Sequence, residues 1–143
     1  MKLKNFLICW LPSFVLMFAI NGLFHGKIAS DFFDRQFAPI QSVIHPSEYT
    51  NMFWVVLLEL ILSFGMVYFI IETQTSMISV GRAAFRGALI NLISASSWNF
   101  ANASMFIRWS DTLTIVDVTW HVALGAAAGY LIAVIFNRFG HLI

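Results

Sequence analysis

Glu59, Asp117 and His121 are titratable side chains that each stand inside a long apolar stretch. Glu59 lies near the middle of an almost unbroken apolar run, Met52 to Ile71. A carboxylate in hydrocarbon costs about 2.5–3.5 kcal/mol on insertion scales. It persists where it faces protein, pairs with another group or carries a proton, so its default reading is a functional site. Asp117 and His121 are four residues apart, hence on one helical face, and Gly125 and Gly129 extend that stripe. Carboxylates beside an imidazole suit three kinds of chemistry. They can hydrogen-bond one another to fix helix packing, with Asp117 pairing His121 or Arg108. They can form a path for protons or a small solute, with Glu59 and Asp117 as exchangeable carboxylates and His121 between them. They can ligate a metal through Glu59, Asp117, His121 and His25, although no Glu-x-x-His or His-x-x-x-His signature accompanies them.

These residues need elements to hold them, and four apolar segments are long enough: about Phe6–Phe24, Met52–Ile71, Ala84–Ile107 and Leu113–Phe136. Each approaches or exceeds the ~20 residues that cross a bilayer. Pro12 should kink the first about one turn in. The run from Phe6 to Leu23 exceeds the ~7–15 residues of a signal-peptide core, and no convincing cleavage site follows it, so it reads as a retained helix. Placing the N-terminus inside puts Lys2, Lys4, Arg82, Arg86 and Arg138 in the cytoplasm. Outside stand Lys27, Arg35 and Arg108, with Asp31, Asp34, Glu48 and Asp111. More basic residues inside than outside favours this orientation, with both termini cytoplasmic and the chain in the cell's inner (plasma) membrane.

With a rise of about 1.5 Å per residue, Glu59 lies roughly 10 Å below the outer surface, Asp117 about 6 Å and His121 about 12 Å. Trp98, Asn99 and Asn102 on the third segment fall at comparable depth, as do Asn21 and His25 at the end of the first. The polar groups therefore gather in one half of the membrane. Asn91, Ala95, Trp98 and Asn102 are read as one face, flanked by Ser94 and Asn99. Asn91, Ser94, Ser96 and Ser97 are read as packing groups. Gly125-x-x-x-Gly129 should let the fourth segment pack closely at its inner end and diverge around Asp117 and His121, leaving a pocket open outward. The same glycine face is also a candidate for homodimer pairing.

Between the first two segments, His25 to Tyr49 forms the only long connection. Ser30 is placed to cap a short helix with Phe33, Phe37 and Ile40 on one side and Asp34 with Gln41 roughly opposite. That pattern fits an amphipathic segment on the outer interface, ending near Pro39 and serving as a plain cover or as a lid over the polar cluster. Trp10, Trp54 and Trp109 lie where interfacial anchors belong, and Trp120 either joins them or faces the bundle.

Composition narrows the class. Of 143 residues, 59% are hydrophobic and 10% charged, with a mean hydropathy of +0.81; a soluble domain carries about 25% charged residues. The net charge of +1 and the absence of a Lys/Arg cluster exclude nucleic acid as a partner. Cys9 is the only cysteine, so no intrachain disulfide forms, and it reads as a buried, inert thiol. No phosphate loop, nucleophile elbow or His-Glu-x-x-His motif points to an enzyme. A lone histidine such as His121 suffices for haem or chlorophyll, but no attachment motif accompanies it, and the sequence names no cofactor.

Trp98-Asn99-Phe100-Ala101-Asn102, the later Trp109 and then Asp117-Val118-Thr119-Trp120-His121 resemble a family of small predicted bacterial membrane proteins of unknown function. That family carries Tyr-Asp-Leu-Thr-Asn in its third segment, then a Trp, then Asp-x-x-Trp-Gly opening its fourth. Gly26-Lys27-Ile28-Ala29 with Phe32-Phe33 is similar to its first loop. Asn99 stands where the family has Asp, and His121 where it has Gly. The resemblance implies a fold of four hydrophobic segments and no activity.

The sequence thus leads to one all-α domain over residues 1–143, an integral membrane four-helix bundle with an amphipathic interfacial segment between helices 1 and 2. Its expected titratable centre is Glu59, Asp117 and His121, shaped by Asn99, Asn102 and Trp98, with His25 a further candidate. A binding or transport-associated protein and an accessory subunit of a larger membrane complex are the two functional expectations. Its expected partners are lipid and either further copies or other membrane subunits.

Overall fold

A computed structural model describes residues 3–42, 52–72 and 77–139; Lys2, Glu48 and Tyr49 lie outside the described residues. The chain is helical, with no strand among the described residues. Helix α1 spans Leu3–Leu23 and passes into a π-helical turn, Phe24–Ile28; α2 spans Ser30–Phe37, followed by a 3-10 turn, Ala38–Ile40. Then come α3, Met52–Ile71, α4, Val80–Met105, and α5, Asp111–Phe139.

Among the described residues, three helices are long and apolar enough to cross a membrane: Leu3–Ile28 (with the π turn), Met52–Ile71 and Asp111–Phe139. Helix α4 does not join them on composition. Its 26 residues reach about 39 Å at 1.5 Å per residue, but Gly81, Arg82, Arg86, Gly87 and its asparagines and serines dilute the apolar content. Of the four apolar segments read from the sequence, three thus qualify as membrane spans by length and composition among the described residues. The observed α4 and α5 also begin earlier than expected, because Ser79 caps α4 by accepting from the Arg82 N–H and Ser110 accepts from the Leu113 N–H; α5 runs on to Phe139.

Helix α5 is the axis of the packing, touching α1, α2, α3 and α4. Its seam with α4 is backbone against backbone. A Cβ on Gly87 would stand 2.1 Å from the Gly125 carbonyl oxygen, one on Gly125 2.3 Å from that of Gly87, and one on Gly129 2.2 Å from that of Ala83. The stripe Gly125-x-x-x-Gly129 is therefore filled from within the chain, by Ala83 and Gly87, and is not free for homodimer pairing. Around it Met17, Met66, Val67, Ile70, Ile71, Ala128, Ile132 and Ala133 are essentially inaccessible. On the other flank, the Trp10 indole N–H donates to Ser63 Oγ at 3.0 Å, so Trp10 turns inward. Helix α1 continues through Pro12. Cys9 is buried, as expected. At the far end of α5, Asn137 ties down the approach to α4: Ile78 N–H donates to its Oδ1 at 2.8 Å and its Nδ2 donates to the Ile78 carbonyl at 2.9 Å.

Helix α2 is amphipathic as read, with Phe33 and Ile40 buried and Asp31, Asp34 and Gln41 exposed. Ser30 is not its cap: the position before the first turn is Ala29, and the Ser30 hydroxyl points back to the Lys27 carbonyl at 3.4 Å. The π turn supplies the reason, since it carries the helical path of α1 almost into α2. Gln36 accepts a hydrogen bond from Ser110, fixing α2 against the start of α5.

Candidate functional site

Polar residues from α1, α3, α4 and α5 meet at the end of the bundle where α1 leaves and α5 begins. Asp117 is the hub. Its Oδ1 lies 3.0 Å from His25 Nε2 and 3.4 Å from His121 Nδ1, and its Oδ2 accepts from Asn99 Nδ2 at 2.7 Å. His121 Nδ1 also lies 2.8 Å from the Asp117 backbone carbonyl. A carbonyl only accepts, so His121 carries its proton on Nδ1. The π turn, a feature common at functional sites, brings His25 round to face α5, while His25 Nδ1 lies 3.0 Å from the Asn21 carbonyl. Both His25 nitrogens therefore face acceptors.

A second branch centres on Glu59, which is 4% exposed. Asn21 Nδ2 donates to its Oε1 at 2.8 Å, and the Trp120 indole N–H donates to Asn21 Oδ1 at 3.0 Å. Trp120 thus faces the bundle, stacked on Phe24 with ring centroids 3.8 Å apart. Phe33 from α2 lies against His25 at 4.5 Å. The two branches share Asn21, through its side chain to Glu59 and its backbone to His25. His25, with a side chain 30% exposed, is the member nearest the surface; Asp117 is 13% exposed and His121 19%. Two surface hollows, of about 680 Å³ along Leu3–Pro12 and about 320 Å³ between Pro39 and Arg108, are lined by other residues.

Several buried polar atoms in this region have no hydrogen-bond partner among the described residues: Glu59 Oε2, Asn91 Oδ1, Asn99 Oδ1 and Asn102 Nδ2. Asn91 is held by its other end, donating to the His121 carbonyl at 3.0 Å, and Asn99 likewise donates to the Ala95 carbonyl. Native proteins leave few such groups.

The structure brings together Glu59, Asp117, His121, His25 and Asn99, and places Asn102 on the same buried face of α4. It does not bring in Trp98, whose side chain is 65% exposed. The inward line of α4 is Ala83, Gly87, Asn91, Ala95, Asn99 and Asn102, and it includes Asn99 because close contact with α5 selects a four-residue spacing. Asn21, Trp120, Phe24 and Phe33 belong to the site without having been singled out for it. The signal for Asn21 was its four-residue offset from His25, which turns both the same way. Glu59, Asp117 and His121 do not form a metal centre: among the described residues no three His, Cys, Asp or Glu side chains are placed to hold an ion. Glu59 instead turns to Asn21, and Asp117 is engaged by both histidines.

Long apolar helices closing round a buried polar cluster define a helical membrane protein. Residues 6–134 match the DUF2177 family of predicted membrane proteins, and the chain belongs to that family. Its function is unknown, and no curated protein or solved structure matches the chain.

Proposed function

We propose that this chain is a four-span bundle and a single domain of the cell's inner (plasma) membrane, with both termini cytoplasmic. Its polar cluster opens to the outer face and binds a proton or small solute in a transport-associated role. A fourth crossing is supported by the α4–α5 seam: a helix in backbone contact with a spanning partner over more than one turn follows it through the bilayer. The inward line of Asn91, Asn99 and Asn102 keeps its amides from lipid. The orientation rests on the excess of basic residues assigned to the inside.

The observation that carries the binding role is Glu59. It is buried, one oxygen is held by a neutral amide, and the other has no partner among the described residues. A merely structural carboxylate at such a place is expected to be fully paired, because an unmatched buried charge costs several kcal/mol, of the order of 3–5. Substituted-cysteine labelling tests the outward opening. Replacing Cys9 with Ser clears the background, and single cysteines at 25, 99 and 121 are then treated with a membrane-impermeant maleimide on intact cells. Labelling at 25, and more slowly at 121, is the expected result; labelling only after the cells are opened would contradict it.

A second reading is favoured by the outer side of α4. Ser97 and Ser104 are exposed there and spend their hydroxyls on their own helix, at Ile93 and Ala101. That side is less suited to lipid than the other helices are. In this reading it packs against another copy or a different membrane subunit, and the chain acts as an accessory member of a complex.

A further inference from the structure

Arg108 lies in the short turn between α4 and α5. Asp117, its candidate partner in the sequence, is taken instead by His25, His121 and Asn99. Among the described residues Arg108 forms no ion pair and no hydrogen bond. It lines the hollow of about 320 Å³ between the 3-10 turn that follows α2 and the end of α4, a volume at the lower end of small-molecule sites. Ile40, which is buried, and Phe106, which is half-buried, form the inner lining. Ser42 adds a hydroxyl with no partner among the described residues, and no carboxylate among them lines the hollow. Both sides are held in place. Gln36 accepts from Ser110 across them, and the Trp109 ring lies against Phe37 and Phe106 while its indole N–H donates to Thr114.

The rest of the lining is apolar and bare. Met105 is largely exposed and Ile107 wholly so, beside a guanidinium that nothing among the described residues neutralises. Depth says what surrounds them. The 29 residues of α5 reach about 43 Å, the thickness of a bilayer with its headgroups. The turn just before its first residue therefore stands at headgroup level. One cation, one hydroxyl donor and two bare apolar side chains match a molecule that is anionic at one end and apolar at the other. We infer that this hollow seats a phospholipid, its phosphate on Arg108 with Ser42 donating beside it, and its acyl chain against Met105 and Ile107. The planar fork of arginine suits two oxygens of one phosphate. A free phosphate would leave Ile107 bare, and a glyceride without phosphate would leave Arg108 without a counter-charge. Neither Glu59 nor any ligand held there takes part.

The test uses the purified full chain in maltoside micelles, with dioleoyl-phosphatidylglycerol, dioleoylglycerol or inorganic phosphate added stepwise. Trp109 fluorescence (the difference between wild type and Trp109→Phe) is followed, and native mass spectrometry reads what stays bound once the detergent is stripped. The phospholipid should change the Trp109 signal saturably and remain as an adduct, whereas dioleoylglycerol and phosphate should do neither. Arg108→Gln should weaken the apparent affinity roughly tenfold, as loss of a charge-assisted contact does. Arg108→Lys should recover part of it, since the charge returns without the fork, and Ile107→Ser should weaken it to a smaller extent. Both side chains are exposed, so these variants should fold. Equal phospholipid responses in wild type and Arg108→Gln would mark general adhesion to the apolar surface and overturn the inference. An equal response to dioleoylglycerol overturns recognition of the phosphate, and one to inorganic phosphate overturns the lipid as its source. Wild type indifferent to all three overturns the site itself.

Discussion

His25 and Asp117 stand 92 positions apart in the chain and meet at 3.0 Å, Nε2 to Oδ1, with the other nitrogen of His25 at 3.0 Å from the Asn21 carbonyl. The contact ties the end of the α1 path to α5. Asp117→Ala should therefore strip Asn99 and His25 of their shared acceptor. A loss of about 2–3 kcal/mol is expected in denaturant unfolding in detergent, below the full cost of a buried pair because His25 is partly exposed. His25→Gln, which keeps a donor near Asp117, should cost less than half as much.

Glu59→Gln should behave in the opposite sense. The amide keeps the Asn21 contact and can carry no charge inside the bundle, so the thermal midpoint without added ligand should rise, by the equivalent of about 1 kcal/mol. Gain in stability with loss of binding is the pattern of a residue kept for function.

The α4–α5 seam gives a sharper structural contrast. Gly87→Ala and Gly125→Ala drive a methyl into backbone oxygen at 2.1 and 2.3 Å and should cost more than about 3 kcal/mol or prevent folding. Gly22→Ala and Gly65→Ala meet nothing within 4 Å and should be neutral or stabilising by up to about 1 kcal/mol. Recovery from detergent extraction and the unfolding midpoint separate the two pairs.

Asn137→Ala removes both bonds to the Ile78 backbone and should cost about 1–3 kcal/mol. Its effect should stay at that end of α5: proteolysis near residue 78 should accelerate, while labelling at residue 25 should not change.

Apolar run length placed all the long helices, because crossing a bilayer demands a fixed number of residues, and it exposed Glu59 as out of place. Four-residue spacing put Asp117 beside His121 and marked Gly125 and Gly129 as a close-packing face. What one-dimensional spacing could not give was which helix fills that face. Gly87 became visible only as its counterpart, and with it the inward line of α4 shifted from Trp98 to Asn99. The π turn was likewise hidden, since no residue type marks it, yet it aims His25 at Asp117 and displaces the helix start expected at Ser30. Trp10 and Trp120 were legible as amphipathic rings; their inward turn depends on Ser63 and Asn21, which come from other helices or other turns.

In the proposed function Glu59 anchors a binding site and does not merely pack. Native mass spectrometry of the protein released from mild detergent, wild type beside Glu59→Gln, tests it most directly. A stoichiometric small adduct is expected on wild type and absent from the variant, with both chains in the same oligomeric state. Wild type and variant found equally bare, or present only with other subunits and indifferent to the substitution, would contradict it and leave the accessory role.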